Sequence, residues 1–253
     1  MSFGNVAAED YDRSMGRFSA PLATLFADFA GIAPPARVLD VGCGTGALTR
    51  VLAARLAPRA VAAVDPAEGF VAAVRDRLPG VDARVASAED LPFDADAFDA
   101  TLSELVVHFL SDPDAAFAEM VRVTRAGGVV AACVWDFEND RAPHSAFLRA
   151  VRESTDRAPA PHRAGTFRGD LAARLTAAGC RDVVETELTV TEGHSGFDAW
   201  WEVHALGIGS TARMLDGLDA ASVERVRRRA REIVGNGPIT TVATAWAARG
   251  TAA

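Results

Sequence analysis

The chain has 253 residues, 49% hydrophobic and 24% charged, which suits one α/β domain with a small helical insert and excludes a disordered chain. Its formal net charge of −8 would repel a phosphate backbone, and no apolar run reaches the ~20 residues of a bilayer span, so neither nucleic acid nor membrane is expected as a partner. Cys43, Cys133 and Cys180 are too scattered for a disulfide framework or a structural zinc, and with an N-terminus lacking an apolar signal core they predict a cytoplasmic protein.

Residues 20–31 read as an amphipathic helix, ended by Pro34-Pro35. An apolar strand follows at 37–41, then a glycine turn at 42–46 and a helix at 47–56. Strands are predicted at 60–65, 81–86 and 98–103, with helices at 68–78 and 113–125. Gly127-Gly128 is expected to turn the chain into a strand at 129–135. The rhythm then changes. A helix and loop fill 141–165, a helix 169–178 and a strand 183–190. Residues 196–234 look helical, with breaks near 207–210 and 216–217, and a last strand runs over 239–246. Such alternation predicts βαβ units, a mostly parallel sheet, and a ligand site at the shared carboxyl edge of the strands. One domain over 1–253 is expected: N-terminal helices or lid at 1–35, a cofactor-binding half at 36–136, and a substrate-side half at 137–253. The helical stretch 196–234 is a candidate lid or substrate wall.

The strongest signal is Val38-Leu39-Asp40-Val41-Gly42-Cys43-Gly44-Thr45-Gly46. An apolar strand ends in an acid and passes into alternate glycines, which let the backbone turn sharply and approach a ligand. The helix that follows offers free N–H groups to an anion, carboxylate or phosphate. Gly42, Gly44 and Ala47 also satisfy a dinucleotide pattern, and Asp65 suits ribose hydroxyls of either ligand class. Asp40 favours one reading. Ionised, it would repel a pyrophosphate but attract an ammonium. S-adenosylmethionine carries an ammonium, a carboxylate and a sulfonium, and no phosphate.

With these residues the sequence resembles the class I S-adenosylmethionine-dependent methyltransferases, small-molecule branch, well over 8–135 and loosely beyond. The first motif falls on Asp40, Gly42, Cys43 and Gly44, and the acidic ribose residue on Asp65 with Pro66 after it. The adenine-side segment falls on Ser87, Ala88 and Glu89; Ser87 stands where many relatives carry Asp or Asn. Glu104 and His108 fall after the fourth strand, and Arg125-Ala126-Gly127-Gly128 before the fifth. The resemblance implies a Rossmann-like seven-stranded, mostly parallel sheet with one antiparallel strand, helices on both faces and a small helical lid or insert. It also implies in-line methyl transfer from S-adenosylmethionine to an O, N or C atom of a small organic acceptor, leaving S-adenosylhomocysteine. A non-methylating protein on the same cofactor site and a nicotinamide oxidoreductase are the alternative readings.

Tyr11 and Arg17, near Arg13, could close over the cofactor as a lid; the plainer reading is a surface helix. His108 could serve as a base, or simply pack. Trp200, Trp201 and His204 share a helix and could wall an uncharged or weakly charged acceptor, core packing being the alternative. Arg225, Arg227, Arg228, Arg229 and Arg231 read as the solvated face of an amphipathic helix. No His or carboxylate spacing suggests a metal site, and a monomer or homodimer is expected.

Overall fold

In a computed structural model, residues 12–156, 163–207, 211 and 214–253 are described. Strands β1 (Val38–Val41) and β2 (Val61–Asp65) are buried at every position, as strands covered on both faces must be. Their neighbours are β3 (Asp82–Val85), β4 (Phe98–Glu104) and β5 (Thr124–Trp135), all parallel. The sheet is completed by β6 (Arg181–His194) and β7 (Ile239–Thr251) in the order β3-β2-β1-β4-β5-β7-β6. β7 runs antiparallel to both β5 and β6, so it is the single reversed strand of the seven. The order reverses direction between β1 and β4. At that switch point the crossovers leave in opposite directions, and a crevice opens at the carboxyl ends of the strands.

The period-2 alternation of the strands divides the core into two layers. Val38, Val61, Ala63, Leu102 and Cys133 face one side. There they meet α1 (Arg17–Phe29), α2 (Ala47–Leu56) and α3 (Glu68–Arg77), through residues such as Phe26, Leu52 and Val74. Leu39, Val41, Val64 and Val130 face the other side. They pack on α4 (Pro113–Val123) and α6 (Asp170–Ala177) through Phe117, Met120, Leu171 and Leu175. A third cluster joins α5 (Ser145–Ser154), α7 (Phe197–Ala205) and α8 (Ala220–Val234) around Phe147, Trp200, Trp201 and Val226. Two of these helices, α7 and α8, form the insert between β6 and β7 that the sequence predicts.

Helix starts follow cap chemistry where the chain turns sharply. Asp112 accepts the Ala115 N–H ahead of Pro113, and Asp219 accepts the Ser222 N–H ahead of α8. Two expectations are revised. Gly127-Gly128 lies inside β5 rather than before it, where the β4–β5 register shifts between Phe98 and Ala100. A Cβ on Gly128 would lie 2.7 Å from the Asp99 carbonyl oxygen, so the bulge needs a residue without one. β6 and β7 also run further than predicted, to His194 and Thr251. Their ladder there pairs positions with no apolar signal, Glu192 with Thr241 and Gly193 with Thr240.

Gly128→Ala should therefore cost about 1–3 kcal/mol of stability through forced backbone displacement, read by urea unfolding. Cofactor affinity should be unchanged, because the bulge lies away from the carboxyl edge of the sheet.

Candidate cofactor and acceptor site

β1 brings Asp40 to the switch point, and the chain then turns through Gly42 (φ +77°), Gly44 (φ +51°) and Gly46 (φ +91°). These left-handed conformations favour glycine. Gly42 has a second reason, since a Cβ there would sit 2.3 Å from Val106 Cγ2. The turn is braced by β2. The N–H groups of Gly42 and Cys43 donate to the Val64 carbonyl at 2.8 and 2.9 Å. Asp65 ties the next layer, accepting Gly44 N–H on Oδ2 at 3.0 Å and Ala67 N–H on Oδ1 at 2.8 Å. Each carboxylate oxygen keeps a lone pair for a further donor such as a ribose hydroxyl. Pro66 is exposed beside it.

The cavity over this turn is lined by Ser19, Asp40, Gly44, Glu104 and Leu105 among others. Its electrostatics are unusual. Asp40 is 1% exposed; its Oδ2 accepts the Thr49 hydroxyl at 2.6 Å, and its Oδ1 has no partner among the described residues. Both oxygens of Glu104, at the end of β4, are buried without partners. Burial pushes Asp40 up to about 7, with the Thr49 hydroxyl opposing and Asp65 adding to the rise. Burial pushes Glu104 well above the usual carboxylate range, and the charge of Asp40 adds to it. Two buried carboxylates facing one small cavity, with three unpartnered oxygens, form a receptor for a cation that donates hydrogen bonds. An ammonium group fits this donor set, and the glycine turn leaves room for the backbone to approach the rest of the ligand.

On the far side of Asp65, Ser87 donates its hydroxyl to the Glu89 carboxylate, and Ala88 is buried. Glu89 is held in turn by Ser111 N–H at 3.2 Å, so this segment is tied to the start of α4. Tyr11 lies outside the described residues. Its neighbour Asp12, in a π-helical turn over Asp12–Gly16, accepts the Thr45 hydroxyl at 2.5 Å and Arg77 at 2.8 Å, fastening the N-terminal segment to the glycine turn. Arg17 is directed elsewhere: it donates to the Gly193 carbonyl at 3.1 Å and pairs with Glu192 at the end of β6.

His108 sits in a 3₁₀ turn (Val107–Phe109) after β4, against Phe109 at 3.8 Å and Phe137 at 5.5 Å. Its Nδ1 has no partner, and burial, aided by the charge of Arg163, pushes its pKa down to about 3. Trp200 and Trp201 pack in the third core cluster, and neither lines the cavity at the glycine turn. His204 stacks on Trp200 at 4.1 Å and donates from Nδ1 to its carbonyl at 2.7 Å, so these three residues are a packed unit of the insert. Sequence reasoning missed Thr49, Asp12 and Thr45. Thr49 alone had a signal, a hydroxyl set between Leu48 and Leu52 on the buried face of α2.

A family model described as "Methyltransferase domain" matches residues 39–132. A malonyl-acyl-carrier-protein O-methyltransferase of Geobacter sulfurreducens is 36% identical over 220 residues, 81% of this chain and 79% of that protein. A trans-aconitate 2-methyltransferase of Methylobacterium nodulans is 32% identical over 224 residues, 84% and 82% of the two chains. Among solved structures, a SAM-dependent methyltransferase of Thermotoga maritima matches with a TM-score of 0.55 at 17% identity, covering 97% of this chain and 99% of that one. A 4+2 cyclase has the same fold, with a TM-score of 0.56 at 23% identity, covering 92% and 81%. Fold and site together define an α/β protein that binds a nucleoside with a cationic amino-acid tail. The chain belongs to the class I S-adenosylmethionine-dependent methyltransferases. It is an enzyme that methylates small molecules. Among the described residues no helix is long and apolar enough to cross a membrane.

Two predictions follow from the charges. Asp65→Ala should weaken binding of S-adenosylhomocysteine by about 2–4 kcal/mol in calorimetry, since it removes charge-assisted bonds and the brace on Gly44. Affinity should also depend on pH. Below about 7 Asp40 holds a proton that an arriving ammonium must displace; above it the carboxylate is ready. The dissociation constant should fall as pH rises from 5.5 to 8, by at most about tenfold per unit for each proton released. Stability of the ligand-free protein should move the other way. The folded pKa of Asp40 lies above its ordinary 3.8, so its contribution is present below about 4 and is lost as pH rises through about 7. Melting curves from pH 5 to 8, with and without S-adenosylhomocysteine, measure both; a pH-independent ligand shift would contradict the assignment.

Proposed function

We propose that the enzyme transfers the methyl group of S-adenosylmethionine to a carboxylate oxygen of a small organic acid, forming a methyl ester. The observation that carries this is the state of His108. It is the imidazole that follows β4, and with a pKa near 3 it is a poor general base. Asp40 and Glu104 are committed to the cationic end of the cofactor. An acceptor that needs no proton removed suits such a site, and a carboxylate is one. Two relatives, matched over 79% and 82% of their length, bear the names of acid-bearing substrates, malonyl-acyl-carrier protein and trans-aconitate. This reading replaces the uncharged or weakly charged acceptor expected from an acidic chain with an aromatic wall at Trp200 and Trp201.

The bound cofactor supplies a methyl group on a sulfonium, which departs as a neutral thioether. The chain's own residues hold and align. Asp40 and Glu104 take the ammonium, and Gly42, Cys43 and Gly44 bring their backbone close to the methionine end. Asp65, with Pro66 beside it, takes the ribose hydroxyls. Ser87, Ala88 and Glu89 border the adenine. The remaining work is to orient acceptor, methyl and sulfur in line and to exclude water, which is mainly positioning.

Incubation with methyl-labelled S-adenosylmethionine and a panel of small di- and tricarboxylic acids, phenols and amines tests the proposal. Label is expected in a base-labile methyl ester of an acid. Label confined to phenols or amines would overturn it.

A further inference from the structure

The arginines near the ligand edge are mostly spoken for. Arg17 pairs with Glu192, Arg77 with Asp12, Arg141 with Asp136 and Glu187, and Arg174 with Asp114 and Asp170. Arg163 differs: it is half-buried and pairs with no carboxylate among the described residues. In a chain of net charge −8 that is a conspicuous vacancy for an anion.

Its place is set by backbone contacts. Thr166 donates its hydroxyl to the Arg163 carbonyl at 2.7 Å, closing a turn. Gly165 is packed so tightly on β5 that a Cβ would lie 2.8 Å from Val134 Cγ2, and its N–H is held by Asp170. Glu138 N–H reaches the Thr166 carbonyl at 3.4 Å. The segment therefore lies across the carboxyl end of β5. Phe137, adjacent to Glu138, packs on His108. The Arg163 charge is close enough to His108 to disfavour its protonation, which keeps the imidazole a neutral hydrogen-bonding group with an unpartnered buried Nδ1. A cation on a backbone-anchored turn and a neutral polar ring thus lie near one another at the edge of β4 and β5, beyond the carboxylates proposed to take the cofactor's ammonium.

We propose that Arg163, with His108 beside it, binds a second carboxylate of the acceptor, one that is not methylated, and so makes the enzyme selective for small dicarboxylic acids over their monoesters. The inference rests on the carboxylate-acceptor reading above. A guanidinium is suited to this because its planar fork engages a carboxylate through two parallel N–H donors. Pairing with the non-reacting carboxylate would orient the other oxygen toward the sulfonium without drawing charge from it.

The test uses the whole protein loaded with S-adenosylhomocysteine and two probes, malonate and its monomethyl ester. For the wild type, malonate should bind at least about tenfold more tightly in calorimetry, a difference of about 1.4 kcal/mol. Arg163→Gln should remove that preference, leaving the monoester and S-adenosylhomocysteine affinities unchanged; Arg163→Lys should restore part of it. In turnover with labelled cofactor the glutamine variant should raise KM for dicarboxylates and spare kcat. Equal malonate affinity in wild type and Arg163→Gln, no malonate binding to the wild type, or parallel loss of both probes would each overturn the subsite. If malonate binding depends on Arg163 but no acid is ever methylated, the subsite stands and the carboxylate-acceptor reading falls.

Discussion

The structure turns on two carboxylates that the fold buries with three of their four oxygens unpartnered among the described residues. Asp40 is the last but one residue of β1 and Glu104 ends β4, and these strands are adjacent at the point where the sheet reverses its order. Leu102 is level with Asp40, so Glu104 projects one step beyond it into the same cavity. A buried ionised carboxylate costs several kcal/mol unless paired, so burial pushes Asp40 up to about 7 and Glu104 well above the usual carboxylate range. The ligand's ammonium reverses that balance. Much of the surrounding geometry serves this arrangement. The glycine turn must pass within van der Waals distance of Val106 to roof the cavity, and Asp65 must brace that turn because its own φ angles are left-handed.

The part of the molecule that was legible in the sequence is the part where local and global demands agree. β1 and β2 are short apolar runs because both faces are covered, and their period of two sorts Val38 and Leu39 to opposite layers. The glycine turn was legible because only glycine serves at Gly42. The less legible parts depend on contacts between distant segments. β6 is an edge strand of mixed Thr and Glu, so its length is set by pairing with β7 and not by burial. Gly127-Gly128 reads as a turn because nothing local reveals that Asp99 will approach the backbone at that point. Trp200 and Trp201 looked like a ligand wall because helical spacing gives a shared face but does not say what covers it; α5 and α8 do.

The N-terminal segment is joined to both halves of the site by polar contacts from opposite ends. Asp12 meets Thr45 and Arg77 at the glycine turn. Arg17, five residues on, meets Glu192 and Gly193 at the end of β6. Between them Met15 places its sulfur 2.9 Å from His144 Nε2, beside the His204 ring. The segment thus spans from the cofactor turn to the insert. Surface ion pairs of this kind contribute little stability individually, on the order of 0–1 kcal/mol. Their value lies in register: they anchor the segment that leads into Phe18, packed on Trp135, and Ser19, which lines the cavity.

Charge is unevenly distributed across the ligand edge. The acids cluster where β1 meets β4, and Arg163, which pairs with no carboxylate among the described residues, lies on the segment across the end of β5. A net charge of −8 therefore says little about the ligands; it is an average over a surface where most arginines are cancelled locally. The same separation explains why His108 need not act as a base. A cation on one side and hydrophobic rings on the other hold it neutral, so it contributes direction and not proton transfer. Methyl transfer between a sulfonium and a carboxylate moves positive charge off sulfur as negative charge leaves oxygen. The transition state is less polar than the reactants, and a site that excludes water destabilises those reactants relative to it. On the proposed carboxylate chemistry, exclusion of water at the reacting atoms takes the place that a base would have in a different chemistry.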